Sequence, residues 1–245
     1  MKRIKFLNCN LDLLNITETV NLIDDKIQKN QFIQQAVVNV AKIIYLQKDD
    51  QLFKSVNDSD LINIDGMGII YGANFLKIGV KKEHKVSGID LFFSLIKLSE
   101  QKKYKIFLLG ATKEVIKLTN DNLLLKYPNL KIASYHHGYF WEDEEKIVQK
   151  IKNSDSQLLF VAITSPQKEN FINKWKQDLN VNYVMGVGGT FDIVAGKIKR
   201  APKWMQIYGL EWLYRIIQEP SRMWKRYLIT NTKYLFILIK AKLNR

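Results

Sequence analysis

Asp65 stands directly after Leu61-Ile62-Asn63-Ile64 and directly before Gly66, so a carboxylate ends an apolar run short enough for one strand. Two readings of it stay open. It is a general base that strips a substrate hydroxyl, a role contributing roughly 10²–10⁴-fold, or it is half of an Asp-Gly turn capping a helix that starts near Met67. Residues 186–192, Gly-Val-Gly-Gly-Thr-Phe-Asp, follow another apolar run and precede a short helical pattern. Backbone N–H groups in such a turn are able to hold a diphosphate. Phe191 occupies the place where a dinucleotide fingerprint needs its third glycine, and no Walker A sequence is present. The turn is therefore either a ligand cradle or a tight strand-to-helix connection. Gly110-Ala111-Thr112 offers the same pair of readings, and Asn39 ends a fourth run.

Other chemistry-bearing groups are poorly arranged for it. Asp58-Ser59-Asp60 has the Asp-x-Asp form of a metal clamp, but it precedes a strand, on the edge away from the expected ligand crevice, and reads as a polar turn. His136 and His137 are neighbours in a strand-like run, where alternate side chains point to opposite faces, so they are not expected to share one ion. There is no Gly-x-Ser-x-Gly elbow and no Cys/His nucleophile pattern. Cys9 is the single cysteine, which excludes an internal disulfide and fits a reducing compartment.

The elements that must position these residues alternate. Residues 33–39, 61–65, 104–110, 131–135, 158–163 and 181–188 read as strands, with helical patterns between them. Continuous apolar runs such as Leu158-Leu159-Phe160-Val161-Ala162-Ile163 are typical of strands buried on both faces. The expectation is an α/β fold with a mostly parallel, doubly wound sheet and helices on both faces. Ligands then collect outside the carboxyl ends of the strands, where Asn39, Asp65, Gly110 and residues 186–192 fall. No repeat or low-complexity linker interrupts the chain. A division into a catalytic unit, 1–195, and a basic helical appendage, 196–245, is expected.

Charge supports that division. Of the formal +14, +10 lies between Gly196 and Arg245, where twelve Lys and Arg face only Glu211 and Glu219. Trp204, Trp212 and Trp224 are interleaved with them. An excess so concentrated implies an anionic surface, lipid headgroups or nucleic acid, unless it is simply a solvated basic helix. The tail reads as two helices separated by Pro220. At about 100° per residue, Arg222, Arg226, Lys233 and Lys240 form one stripe of the second, while Met223, Tyr227, Tyr234 and Leu238, then Leu228, Leu235 and Ile239, make the opposite face apolar. Such a helix suits an interface, and part of its apolar face is expected to pack on the core. Residues 227–239 are too few, and too interrupted by Lys233, for the roughly 20 apolar residues of a membrane span. The opening Met1-Lys2-Arg3-Ile4-Lys5-Phe6 leads into strand-like alternation rather than a long apolar run, so the chain is expected to stay on the cytosolic side.

Taken together the blocks resemble the WecG/TagA/CpsF family of bacterial glycosyltransferases, glycosyltransferase family 26. They are Val37-Val38-Asn39-Val40-Ala41-Lys42, Ile64-Asp65-Gly66-Met67-Gly68, Ser87-Gly88-Ile89-Asp90-Leu91, Leu108-Leu109-Gly110-Ala111, Ser165-Pro166-Gln167-Lys168-Glu169, residues 186–192, Arg200-Ala201-Pro202, and Gly209-Leu210-Glu211-Trp212-Leu213-Tyr214-Arg215 continuing to Glu219-Pro220-Ser221-Arg222. The resemblance implies a Rossmann-like, inverting enzyme without metal or cofactor. Its donor would be a UDP-sugar, often carrying N-acetylmannosamine, and its acceptor a sugar linked through diphosphate to undecaprenol. That chemistry belongs to teichoic acid or surface polysaccharide synthesis, at the cytoplasmic face of the cell membrane, with the protein peripheral on an anionic surface.

Carried over by motif, Asp65 is the catalytic base and Asn39 lies near it. Lys85, Asp90, Gly110, Gln167, Lys168, Gly188, Gly189 and Asp192 are implied on the substrate side, and Arg215, Arg222 and Arg226 toward the acceptor's diphosphate. Three positions depart from the family pattern: Val37 replaces a threonine, Lys85 an arginine, and Gln167-Lys168-Glu169 the usual Lys-Gln-Glu. Lysine lacks arginine's two-pronged grip on phosphate. A non-enzymatic nucleic-acid-binding module is the alternative use of the basic tail. It needs neither Asp65 nor the glycine turn, and the enzyme reading, with no nucleic acid partner, is preferred. Oligomerisation with a second copy is left open.

Overall fold

The structure, a computed structural model, describes residues 1–244, Arg222 by its backbone alone. In chain order the elements are strands β1 (Arg3–Phe6) and β2 (Cys9–Asp12), helix α1 (Ile16–Gln28), β3 (Ile33–Val38), α2 (Val40–Leu46), α3 (Asp50–Asn57), β4 (Leu61–Ile64), α4 (Met67–Phe75), α5 (Gly88–Lys102), β5 (Lys105–Gly110), α6 (Lys113–Lys126), β6 (Lys131–His136), α7 (Glu144–Lys152), β7 (Leu158–Ala162), α8 (Gln167–Trp175), β8 (Tyr183–Gly186), α9 (Thr190–Val194), α10 (Lys203–Ile207), α11 (Glu211–Gln218) and α12 (Pro220–Leu243). Six strands form one parallel sheet in the order β4-β3-β8-β7-β5-β6. These six are the apolar runs read from the sequence, five of them shortened by a residue or two at one or both ends and β6 extended by one to His136.

Alternation along each strand fills both faces. Ile106 and Leu108 of β5, Phe160 of β7 and Met185 of β8 meet α1, α5 and α6 on one side. Phe107, Leu109, Val161 and Val184 meet α7 and α8 on the other. Next to the latter, Ala36 and Val38 of β3 and Ile62 and Ile64 of β4 pack under α2, α3, α4 and the β1–β2 hairpin. The hairpin also occupies the β4 edge. Its Asp12 carboxylate takes two bonds from Arg3 at 2.7 and 2.8 Å and accepts the backbone N–H of Ile62 at 2.8 Å, covering a donor that would otherwise face solvent.

The tail helices do not all stand apart. Tyr234 and Leu238 of α12 are buried in the cluster beneath α2 and α4, and the Tyr234 hydroxyl donates to the Gly68 carbonyl at 3.0 Å. Met223 is buried as well, whereas Leu228, Leu235, Phe236 and Ile239 are exposed. Half of the apolar face read from the sequence is thus used by the core and half faces outward. Pro220 opens α12 at its first turn, where its missing N–H costs nothing. Among the described residues no helix is long and apolar enough to cross a membrane.

Candidate active site

All six strands of the sheet direct their carboxyl ends to one cavity of about 760 Å³, β6 through Gly138, Tyr139 and Trp141 just after it, and that volume is ample for a sugar nucleotide. Val37 and Asn39 come from β3 and its exit, Asp65 from β4, Ala111 and Thr112 from β5, Ala162 through Ser165 from β7, and Gly186 through Gly189 from β8. The parallel register makes this inevitable: Val38 pairs with Ile64, so Asn39 and Asp65 leave adjacent strands side by side.

The backbone is shaped for close approach at two of these exits. Gly110 has φ +123°, and a Cβ there would strike the backbone of Ala162. Gly188 has φ +53° and open space around the position of a Cβ, so the turn before α9 presents bare backbone to the cavity. The N-terminus of α6, capped by the Thr112 hydroxyl at 3.2 Å, and that of α8 open on the same space and bring partial positive charge to it.

Asp65 does not cap α4. The cap residue is Gly66, with no side-chain cap bond, and Asp65 lines the cavity instead. Burial, and next Glu211, raise its carboxyl, Arg215, Lys85 and Lys42 pull it down, and the balance is about 6. A carboxylate with that value is both largely ionised and appreciably basic near neutral pH, the compromise a general base requires. The sign for folding is the opposite of a salt-bridged acid. The stability lent by the protonated form is present below the ordinary value of 3.8 and is lost as pH rises through about 6.

Asn39 caps α2, its Oδ1 accepting the Lys42 N–H at 3.0 Å. One turn on, the Lys42 ammonium reaches Glu169 at 2.6 Å, and Lys168 meets the same carboxylate at 3.2 Å. All three side chains are buried. Burial alone would raise the Glu169 carboxyl, but the two lysines draw it down to about 2. Burial in turn lowers Lys168, against the pull of Glu169. One carboxylate between two ammoniums leaves a positive excess at the cavity wall, which Lys42 and Lys168 both line.

Gln167, Gly188, Gly189, Asp192, Arg215 and Arg226 also line the cavity. Gly110 shapes it through Ala111 and Thr112. Lys85 and Asp90 are not in that wall; they border a shallower cleft on the side of α5. Lys85 donates to the Gln206 carbonyl at 3.2 Å and sits 3.5 Å from Glu211, and Asp90 takes two bonds from Arg200, each 2.7 Å. The segment from Arg200 to Glu211 claims both. The Arg222 side chain lies outside the described residues.

Asp60 accepts the Gln34 backbone N–H at 2.8 Å at the amino edge of β4, as expected of a turn. The histidines need correction. β6 ends at His136, so His137 escapes strand alternation, and the two rings pack with centroids 4.2 Å apart. Among the described residues no group of three or more His, Cys, Asp or Glu side chains is placed to hold a metal ion. Sequence reading missed the ring cluster at this rim, Tyr139 and Trp141, and the Lys42–Glu169 pair, whose members are 127 residues apart.

Residues 4–245 match the Glycosyl transferase WecG/TagA/CpsF family. A relative from Bacillus subtilis (strain 168) is 34% identical over 198 residues, covering 81% of this chain and 75% of its own. One from Staphylococcus aureus (strain MW2) is 30% identical over 236 residues, covering 95% and 89%. Both are named N-acetylglucosaminyldiphosphoundecaprenol N-acetyl-beta-D-mannosaminyltransferase.

Proposed function

Since this chain belongs to the WecG/TagA/CpsF family of glycosyltransferases, we propose that it moves N-acetylmannosamine from a UDP-sugar to N-acetylglucosamine carried on undecaprenyl diphosphate. The observation that carries this reading is the half-buried Asp65 carboxylate, poised near 6 at the floor of a cavity walled by cations and bare backbone N–H groups. Asp65 takes the proton from an acceptor hydroxyl while that oxygen attacks the anomeric carbon of the donor. The bond from that carbon to the diphosphate oxygen breaks on the opposite side, so the configuration inverts and UDP departs with the electron pair. Lys42 and Lys168, the α6 and α8 N-termini and the turn at Gly188 and Gly189 balance the charge that develops on UDP.

Arg215 and Arg226, on helices rich in exposed apolar side chains, suit the acceptor's diphosphate and its lipid, with Arg222 in the same role by motif. Such an acceptor lies in a membrane, and the protein meets it from the cytoplasmic face. No divalent ion is required in this scheme. The experiment is a donor panel assayed against a short-chain lipid-diphosphate N-acetylglucosamine, with UDP release as readout. UDP release that needs both the N-acetylmannosamine donor and the acceptor, and persists in a chelator, supports the reading. Release that does not need the acceptor, or that occurs only with added divalent ion, contradicts it.

A further inference from the structure

Lys85 and Glu211 face each other 3.5 Å apart and both act on the Asp65 carboxyl, yet they come from different parts of the fold. The backbone of Lys85 runs alongside the end of β4, bridging to Ile64, whose carbonyl accepts the Val86 N–H at 2.8 Å. Lys85 therefore starts next to the residue that precedes Asp65. Its ammonium is engaged by the Gln206 carbonyl and the Glu211 carboxylate of α10 and α11, while its charge is still felt at Asp65. Those helices are themselves tied down by Arg200 on Asp90.

We propose that Glu211 is a positioning residue for Asp65: by engaging the Lys85 ammonium and presenting its own negative charge, it keeps the base strong, so the docked α10–α11 segment completes the catalytic carboxylate.

The inference rests on Asp65 acting as the base. Among the described residues, the charged and titratable groups facing Asp65 are Lys42 of α2, Lys85, Arg200, Glu211 and Arg215 of α11, and Tyr227 of α12. Glu211 is the one acid among them. Removing it takes away a like charge and releases a lysine that can swing onto Asp65, and both changes favour ionisation and weaken the base. Removing Lys85 instead leaves Glu211 facing Asp65 without its cation, with the opposite effect. A residue that merely supports the fold does not produce shifts of opposite sign.

The test is a ¹³C-carboxyl NMR titration of full-length protein labelled at aspartate, with Asp65→Asn to assign the resonance, beside the pH dependence of kcat. In the wild type the Asp65 midpoint and the acidic limb of kcat should coincide near 6. Glu211→Gln should move both down by about one pH unit, a tenfold change in proton affinity. Lys85→Gln should move both up, and Glu211→Asp should restore most of the wild-type value. A Glu211→Gln midpoint unchanged from wild type overturns the inference, as does a Lys85→Gln midpoint that falls, which decides the matter should the glutamate variant not fold. A wild-type kcat with no limb at the NMR midpoint of Asp65 removes instead the reading of Asp65 as base.

Discussion

At the residue scale the site concentrates two kinds of unfavourable burial. Asp65 is held near 6 because its charge is poorly solvated, and Glu169 near 2 because two buried ammoniums demand its charge. The second arrangement is brittle: removing one member of a buried ionic group leaves the others uncompensated, typically at roughly 3–5 kcal/mol. Glu169→Ala should therefore lower folding stability by about that amount in denaturant unfolding, and Glu169→Ala together with Lys42→Met and Lys168→Met should recover most of it. The contribution of Glu169 is fully present above its ordinary 4.5 and disappears as pH falls toward 2, so the gap between wild type and Glu169→Ala closes on acidification through that window. A stability difference that stays constant down to pH 2 contradicts this assignment. Asp65 was legible in the sequence because a carboxylate ending an apolar run has few places to go. Glu169 was not, since its partner Lys42 is placed by the sheet and nothing local signals the pair.

The elements divide the same way. Six strands could be read because burial on both faces removes polar residues from them and leaves runs such as Ile106-Phe107-Leu108-Leu109. A polar chain through that interior could not be read. Gln35 of β3 donates to Asn63 of β4 at 2.5 Å and accepts the Tyr183 hydroxyl of β8, and Asn63 donates to Thr19 of α1 at 3.2 Å. Each partner comes from a different element, so sequence alone shows only isolated polar interruptions. For α12 the helical wheel identified the apolar face but not which part the core uses. Tyr234 and Leu238 take the inward place and Leu235, Phe236 and Ile239 the outward one. Leu238→Ala should cost about 2–5 kcal/mol in thermal or denaturant unfolding, the range for truncating a buried leucine. Leu235→Ala, on the exposed side, should fall within about 0.5 kcal/mol of wild type. Equal effects from the two would contradict this partition of the face.

At the scale of the whole molecule, the sheet gathers the chemistry at one end, and the basic helices α10 to α12 continue from that end with part of their apolar side chains outward. Trp204, Ile207, Tyr208, Ile217, Trp224, Leu228 and Phe236 are all exposed there. We expect this surface to rest on an anionic bilayer, each basic residue near it adding on the order of 1 kcal/mol. Wild-type protein should sediment with vesicles containing phosphatidylglycerol, less so at high salt, because screening shortens the reach of those charges. Leu235→Ser with Phe236→Ser should release it while the fold and UDP binding persist. Point variants serve here better than removal of α12, which would strip Tyr234 and Leu238 from the core. Undiminished sedimentation of the double variant contradicts the expectation.

The central claim is that Asp65 is the base, and the most direct measurement is steady-state turnover of Asp65→Asn with donor and lipid-diphosphate acceptor, beside calorimetric binding of UDP. Asparagine keeps the shape and loses the basicity, so the account predicts kcat lowered by roughly 10²–10⁴-fold with UDP affinity unchanged. Turnover close to wild type, with UDP bound as before, would contradict it.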